Sequence, residues 1–556
     1  MERKFIVSLV CIIIVSLISI SDLFLHQGRS ITFDGHIHMT TMAQFATALK
    51  DGEFPVRWSN NFANYGLPLP LFAHQLPAYS GALFILLGSS VVTAYNLTLA
   101  LAICLSGIFF YIYLRKKTSE QSALIATLLF TLFPYRIINI YIRGALPEIL
   151  STVFFPLILL GIDQAFRKQK RSGSLLVFCA TALLALTHPM MLLIFGMPTA
   201  LYCLFSIKKR GDIRTVLALV VSAGLGVGVA SYYLIPLVLE MKYFYEGTQT
   251  AASSFVSSAF MGVRNFFDPQ WYYYLTHPGP RGNLIKFGIP ELFMLLVGVV
   301  TTVFVIKNKK GTTRPELLRW SIISLIALFF LLPLSSVLYT HVPGLSEVQY
   351  PWRFLSVLQF SIPIVAALCI DHYHLQHSKL LLLGVVCFIV LRMPQLYGKN
   401  FADFPESQYY FTRSNLHSQN LNTIWSDNSE KYPVKTQQAE IISGDGVITD
   451  STVKNASRSY EVTARSEVRL VDYTFYFPGW KVISDGTELP IEFQDMNYRG
   501  LITYVLPAGK HTVSVEYGFT KVRLVAVFLT LASFIAAAVW ISYLSLPINR
   551  RKTTLT

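Results

Sequence analysis

FIVSLVCIIIVSLISISDLFL, residues 5–25, stands behind Arg3-Lys4 and ahead of Phe33-Asp34-Gly35-His36-Ile37-His38, and its reading decides the fold. A mostly apolar run of this length, broken near its end by Asp22, matches a bilayer span. A signal peptide also starts with a basic region and an apolar core. This run is long and no clear small-residue cleavage site follows it, so it reads as a retained anchor. With the basic residues inside, the N-terminus is expected in the cytoplasm and Asp34 outside.

Composition extends that reading to the whole chain. Of 556 residues, 53% are hydrophobic and 14% charged, with a mean hydropathy of +0.48, where soluble domains carry roughly 25% charge. Apolar segments are expected near 5–25, 91–114, 119–135, 147–166, 174–189, 190–207, 215–238, 288–306, 317–339, 354–371, 379–395 and 522–546, about twelve spans. Arg115-Lys116-Lys117, Arg167 to Arg171, Lys208-Lys209-Arg210, Lys307 to Lys310 with Arg314, and Arg550-Arg551-Lys552 all fall at junctions that this order places inside. Only the junction from Asp371 to Lys379 is weakly basic, so the positive-inside rule holds at five of six. The same turns account for the net charge of +15 through topology and anionic lipid, which argues against a nucleic-acid partner. All six cysteines lie in or beside apolar segments, so neither a disulfide framework nor a cysteine metal site is indicated.

The expected fold is therefore mainly α, a polytopic bundle over 1–395 with outer loops 28–90 and 240–287. A β-rich extracytoplasmic domain at 396–521, a final span at 522–546 and a cytoplasmic tail at 547–556 complete it. Alternation over Ser459 to Val468 and Thr512 to Tyr517, with turns at Asp485-Gly486 and Pro507-Ala508-Gly509, predicts the strands. In the first loop an amphipathic helix is expected from about Met39 to Leu49, and Tyr79 to Leu87 is too short to span and reads as an interfacial or buried helix. The aromatics of the second loop, Phe266-Phe267, Trp271 and Tyr272-Tyr273-Tyr274, read as an interfacial belt ahead of a ligand platform.

Ionisable groups beside membrane spans are costly and are functional candidates by default. Asp34, His36 and His38 alternate, so an extended segment would present them on one face. Arg136, Arg143 and Glu148, then His188, Glu240 and Arg353, all fall at span ends on the side of Asp34. An arginine fork suits a phosphate, which points to Arg143 or Arg353, and Asp34 suits the general base of a transfer to a hydroxyl. Each has a plainer reading. Asp34 could cap the following helix, Arg143 and Glu148 could form a structural pair, His188 could satisfy carbonyls freed by Pro189, and Arg353 could stack on an interfacial aromatic. No cofactor is required. A divalent metal would fall to Asp34, His36 and His38, a weak signature with two nitrogens and one carboxylate.

Asp34-Gly35-His36-Ile37-His38, Gly52-Glu53-Phe54-Pro55-Val56-Arg57-Trp58, Tyr65-Gly66, Tyr141-Ile142-Arg143-Gly144-Ala145-Leu146-Pro147-Glu148, Thr187-His188 and Gln349-Tyr350-Pro351-Trp352-Arg353-Phe354 resemble the bacterial YfhO-like membrane proteins, also labelled 6-pyruvoyl-tetrahydropterin synthase-related. Phe477-Pro478-Gly479-Trp480-Lys481-Val482 and Leu506-Pro507-Ala508-Gly509-Lys510-His511-Thr512-Val513 fit the same family's outer domain. The resemblance implies a GT-C type glycosyltransferase architecture, a polyprenyl-phosphate sugar as donor and a cell-envelope polysaccharide, lipid or protein as acceptor. Asp34 matches the acidic residue of the first outer loop. The expected catalytic set is Asp34, His36, His38 and Glu148; the expected substrate-binding set is Arg57, Trp58, Tyr65, Arg143, His188, Glu240 and Arg353. The expected activity is inverting transfer at the outer face of the bacterial inner membrane, and the alternative is a non-catalytic lipid or polysaccharide transporter or scaffold. The pterin label implies a histidine-bound zinc and a nucleophilic cysteine, for which the cysteine positions give no basis.

Overall fold

The computed structural model describes residues 2–167, 169–244, 256, 259–267, 285–308, 313–342, 344–413, 422–427 and 429–544. The aromatic run at 271–274 and the tail at 547–556 lie outside the described residues. Nine helices among those described are long and apolar enough to cross a membrane. A bent pair, Arg314–Leu331 with Pro333–His341 at 86°, makes a tenth if it is one span. The two remaining expected spans are shorter than the sequence suggests. The first apolar run folds as the 17-residue helix Glu2–Ile18 and breaks before the single turn Asp22–Leu25, and Lys379–Arg392 has 14 residues, against about 20 for a straight span.

Small residues bring the spans together. Helices Phe154–Phe166 and Lys170–Thr187 meet at Gly161 and Gly173, where a Cβ on Gly161 would stand 2.8 Å from the Gly173 carbonyl oxygen. Such backbone approach replaces the hydrophobic drive that lipid removes. At the end of the bundle that the sequence places inside, Lys117 bonds Asp163 at 2.8 Å and Glu316 at 3.1 Å, and Tyr202 at 2.8 Å. One ammonium thus ties three further helices.

At the opposite end the first loop and the β domain form one body. Strand β1 (Arg29–Ser30) pairs antiparallel with β2 (Phe401–Ala402), and the loop carries helices Gly35–Lys50 and Gln75–Leu86. The β domain comprises β3 (Ala439–Ser443), β4 (Gly446–Val453), β5 (Ser457–Ala464), β6 (Val468–Phe475), β7 (Trp480–Ser484), β8 (Thr487–Leu489), β9 (Leu501–Leu506) and β10 (Gly509–Tyr517). They make a five-stranded sheet, β4-β5-β10-β7-β8, and a three-stranded sheet, β3-β6-β9. The inward residues Tyr460, Val462, Val482, Val513 and Val515 of one share a core with Leu470, Ile502, Tyr504 and Leu506 of the other, a face-to-face packing. Asp485 and Gly486 both take positive φ (51° and 84°), which is the two-residue turn that joins β7 to β8 without splaying them.

Gly173→Leu is expected to overpack the contact with Gly161, at a cost of about 1–3 kcal/mol. A lowered midpoint of unfolding in mixed detergent would show it, and an unchanged midpoint would contradict the close approach.

Candidate functional site

The site starts from a backbone clasp. Phe33 N–H donates to the Ile142 carbonyl (3.1 Å) and Asp34 N–H to the Arg143 carbonyl (2.8 Å). Gly144, at φ 67°, ends the π-helical turn Asn139–Arg143, and its carbonyl accepts from the Tyr95 hydroxyl (3.0 Å). A Cβ at Gly144 would fall on the Thr32 hydroxyl and stand 2.7 Å from Gly35 N, so glycine is what lets the two segments touch.

The extended segment expected for Asp34, His36 and His38 is not there, because Gly35 already opens the helix. Residues two apart on a helix point roughly 200° apart. His38 accordingly lines the cavity and His36 does not. Asp34 occupies the N-cap position, yet its side chain makes no capping bond; the Thr32 hydroxyl accepts from Gly35 N–H instead (3.2 Å).

Glu148 is the centre of charge. The Arg143 guanidinium donates to both of its oxygens, at 2.7 and 2.8 Å, Arg353 Nε donates to Oε1 at 3.0 Å, and the Tyr135 hydroxyl donates to Oε2 at 2.8 Å. Asn139 Oδ1 accepts a further bond from Arg143 at 2.8 Å. Arg353 Nη1 is spent on the Val348 carbonyl (2.9 Å) and Gln349, which leaves Nη2 with no hydrogen bond among the described residues. The carboxylate is 2% exposed, so the pairing is what makes its burial affordable.

Two cavities meet at this cluster. The larger, about 370 Å³, is lined by Asp34, His38, His74, Arg143, Glu148, His188 and Arg353 over an apolar remainder that includes Phe62, Phe72 and Phe244. The smaller, about 270 Å³, is bounded by Phe33, Ile285, Gln349, Tyr350 and Trp352. Asp34, Arg143 and Arg353 line both. In the larger cavity the His74 and His188 rings are 4.5 Å apart and those of His38 and His74 are 6.3 Å apart. Burial, with His38 and Arg353 nearby, pushes the His74 imidazole down to about 3, so it is neutral. No group of three His, Cys, Asp or Glu among the described residues is placed to hold a metal ion.

The other expected site residues serve the architecture. Trp58 is fully buried against Trp480 (5.0 Å between centroids) and Tyr517. The Tyr65 hydroxyl donates to the Pro433 carbonyl (2.8 Å), and Asn455 donates to Asp51 (2.7 Å), Glu53 (2.6 Å) and the Trp58 carbonyl (2.7 Å). Arg57 lies over Phe519 at 4.2 Å. These contacts dock the first loop onto the β domain, away from both cavities. Glu240 accepts from Thr520 and from Arg523 Nε, both at 3.0 Å, and so holds the last helix. Arg136 donates to Thr152 (3.0 Å) and Ser106 (2.9 Å) within the bundle. Sequence reasoning missed His74, Tyr135 and Trp352. His74 carries a usable signal, an imidazole next to the apolar helix Gln75–Leu86, whereas the two aromatics are indistinguishable from core.

Fold and site together define a polytopic, mainly helical membrane protein that holds a cavity between the bundle and its first loop, with charged residues in its lining. The chain belongs to the 6-pyruvoyl-tetrahydropterin synthase related family of membrane proteins, whose model matches residues 72–397. An uncharacterized protein of Lactococcus lactis subsp. cremoris (strain MG1363) is 25% identical over 321 residues, 56% of this chain and 50% of the relative. The chain thus spans about half the length of the curated relative it matches. Among solved structures it is similar to arabinofuranosyltransferase AftD from mycobacteria (15% identity, TM-score 0.42, 71% of this chain and 27% of that one). It is also similar to the Archaeoglobus fulgidus oligosaccharyltransferase (13% identity, TM-score 0.43, 76% and 61%). Both likenesses are distant. As for the pterin label, no cysteine lines either cavity.

Glu148→Gln leaves two buried guanidiniums against one neutral amide, and is expected to destabilise the fold by about 3–5 kcal/mol. A thermal midpoint equal to that of the parent protein would remove Glu148 from the centre of the cluster.

Proposed function

We propose that the protein is a membrane glycosyltransferase of GT-C type, which moves a sugar with inversion from a polyprenyl phosphate to a cell-envelope acceptor at the outer face of the bacterial cytoplasmic membrane. The observation that carries this reading is the position of Asp34, which borders both cavities where Arg143 and Arg353 also border both. Two substrates can therefore meet across one carboxylate with cations beside it. The acceptor hydroxyl oxygen attacks the anomeric carbon and the bond from that carbon to the phosphate oxygen breaks. Asp34 takes the hydroxyl proton, and polyprenyl phosphate leaves as the anion. A single displacement inverts the anomeric centre.

The roles divide by what each side chain has left to offer. Arg353 Nη2 makes no hydrogen bond among the described residues and is offered to a phosphate, and its charge favours the leaving anion. Arg143 spends both terminal nitrogens on Glu148, Tyr135 and Asn139 and keeps Nε for a further bond. Glu148 is a positioning residue that fixes both forks. The motifs that resemble the YfhO-like proteins, in matching order along the chain, support the reading independently of the geometry.

Purified protein incubated with a panel of polyprenyl-phosphate sugars and envelope polymers is expected to release free polyprenyl phosphate in step with sugar transfer. Asp34→Asn should lower the rate by roughly 10²–10⁴-fold with little change in donor affinity; near-parental turnover of a folded variant would exclude Asp34 as base. Arg353→Lys retains the charge and loses the fork, so donor binding is expected to weaken, and unchanged affinity would move the phosphate elsewhere.

A further inference from the structure

The imidazoles of the larger cavity are not used by the transfer step. His74 precedes helix Gln75–Leu86, and His188 joins helices Lys170–Thr187 and Pro189–Ser206. Separate parts of the chain therefore bring the two rings to 4.5 Å. His188 is 7% exposed. Nδ1 of His74 and Nδ1 of His188 are both buried without a hydrogen-bond partner, in a cavity both residues line. Buried polar atoms are normally satisfied, so two orphaned nitrogens on one wall point to a ligand that supplies the missing bonds.

The surroundings select the ligand. Two rings this close, with Arg143 and Arg353 on the same cavity, resist protonation. A neutral imidazole has one donor nitrogen and one acceptor nitrogen, and a hydroxyl group can answer either. A carboxylate only accepts and would lie near Asp34 and Glu148; an ammonium only donates and would lie near two guanidiniums. The apolar wall includes Phe62, Phe72 and Phe244, which suits the C–H surface of a saccharide, and about 370 Å³ falls within the roughly 300–1,000 Å³ of small-molecule sites.

We propose that His74 and His188 form the hydroxyl-recognition wall of a saccharide subsite, and that the sugar it accepts is uncharged. The proposal rests on the transfer reading for its biological role, and on the cavity alone for the binding.

Saturation-transfer NMR on the full chain in nanodiscs tests it with three free ligands: methyl glucoside, methyl glucuronoside and methyl glucosaminide. The glucoside is expected to bind, and the two charged sugars to bind at least about tenfold more weakly. His74→Phe and His188→Phe keep a ring and remove its nitrogens, and each is expected to weaken glucoside binding by roughly two- to tenfold, the scale of a lost hydrogen bond. Binding of a short-chain polyprenyl phosphate should persist in both variants, which also reports that they fold. Charged sugars that bind as well as the glucoside, or two phenylalanine variants with full glucoside affinity, would overturn the proposal. Failure of the transfer reading looks different: the sugar binds selectively and no lipid-linked donor is turned over.

Discussion

Glu148 placed between Arg143 and Arg353 is the interaction on which the site depends. A carboxylate this deeply buried persists only if its charge is matched, and here the match comes from two arginines more than two hundred residues apart in sequence. The pairing draws the segment at 139–148 and the segment at 348–353 onto one point. It also decides what the arginines can still do, because each fork arrives partly spent. With Asp34 on the same walls, two carboxylates and two guanidiniums border the cavities together.

Around that point the rest of the structure acts as a frame. The clasp from Phe33 and Asp34 to Ile142 and Arg143 holds the first loop against the bundle, and Gly144 permits it. On its far side the same loop is pinned to the β domain by Trp58, Tyr65 and the bonds from Asn455. The β domain is in turn held to the last helix by Arg523, which donates to the Pro478 carbonyl (3.0 Å). Displacement of the β domain would therefore pull on the loop that carries Asp34.

Much of this was legible in the sequence, for identifiable reasons. Bilayer thickness imposes a length on apolar runs and alternation marks strands, so most spans and the β-rich region could be read directly, and ionisable residues at span ends are rare enough to name Asp34, Arg143, Glu148, His188 and Arg353. Local pattern failed where tertiary contacts compete with it. The alternation at 34–38 suggests a strand, but Thr32 caps Gly35 and a helix wins. Arg57, Trp58 and Tyr65 look like a binding motif because their types suit a ligand, and an interdomain joint needs the same aromatic and charged groups. Glu240 was a sound candidate by the same rule of costly ionisable groups, and its partner Arg523 lay too far along the chain to be foreseen. His74 stands beside a helix too short to span, so the rule for span ends does not reach it.

The central claim is that a lipid-linked phosphosugar is held at Arg353 with its reacting carbon beside Asp34. A cryo-EM structure of the full chain in nanodiscs with a polyprenyl phosphonate sugar, whose carbon–phosphorus bond cannot be cleaved, tests it most directly. The phosphonate is expected within hydrogen-bond reach of Arg353 Nη2, with the sugar in the larger cavity next to Asp34. Phosphonate density away from Arg353, with the cavity at Asp34 free of sugar, would contradict it.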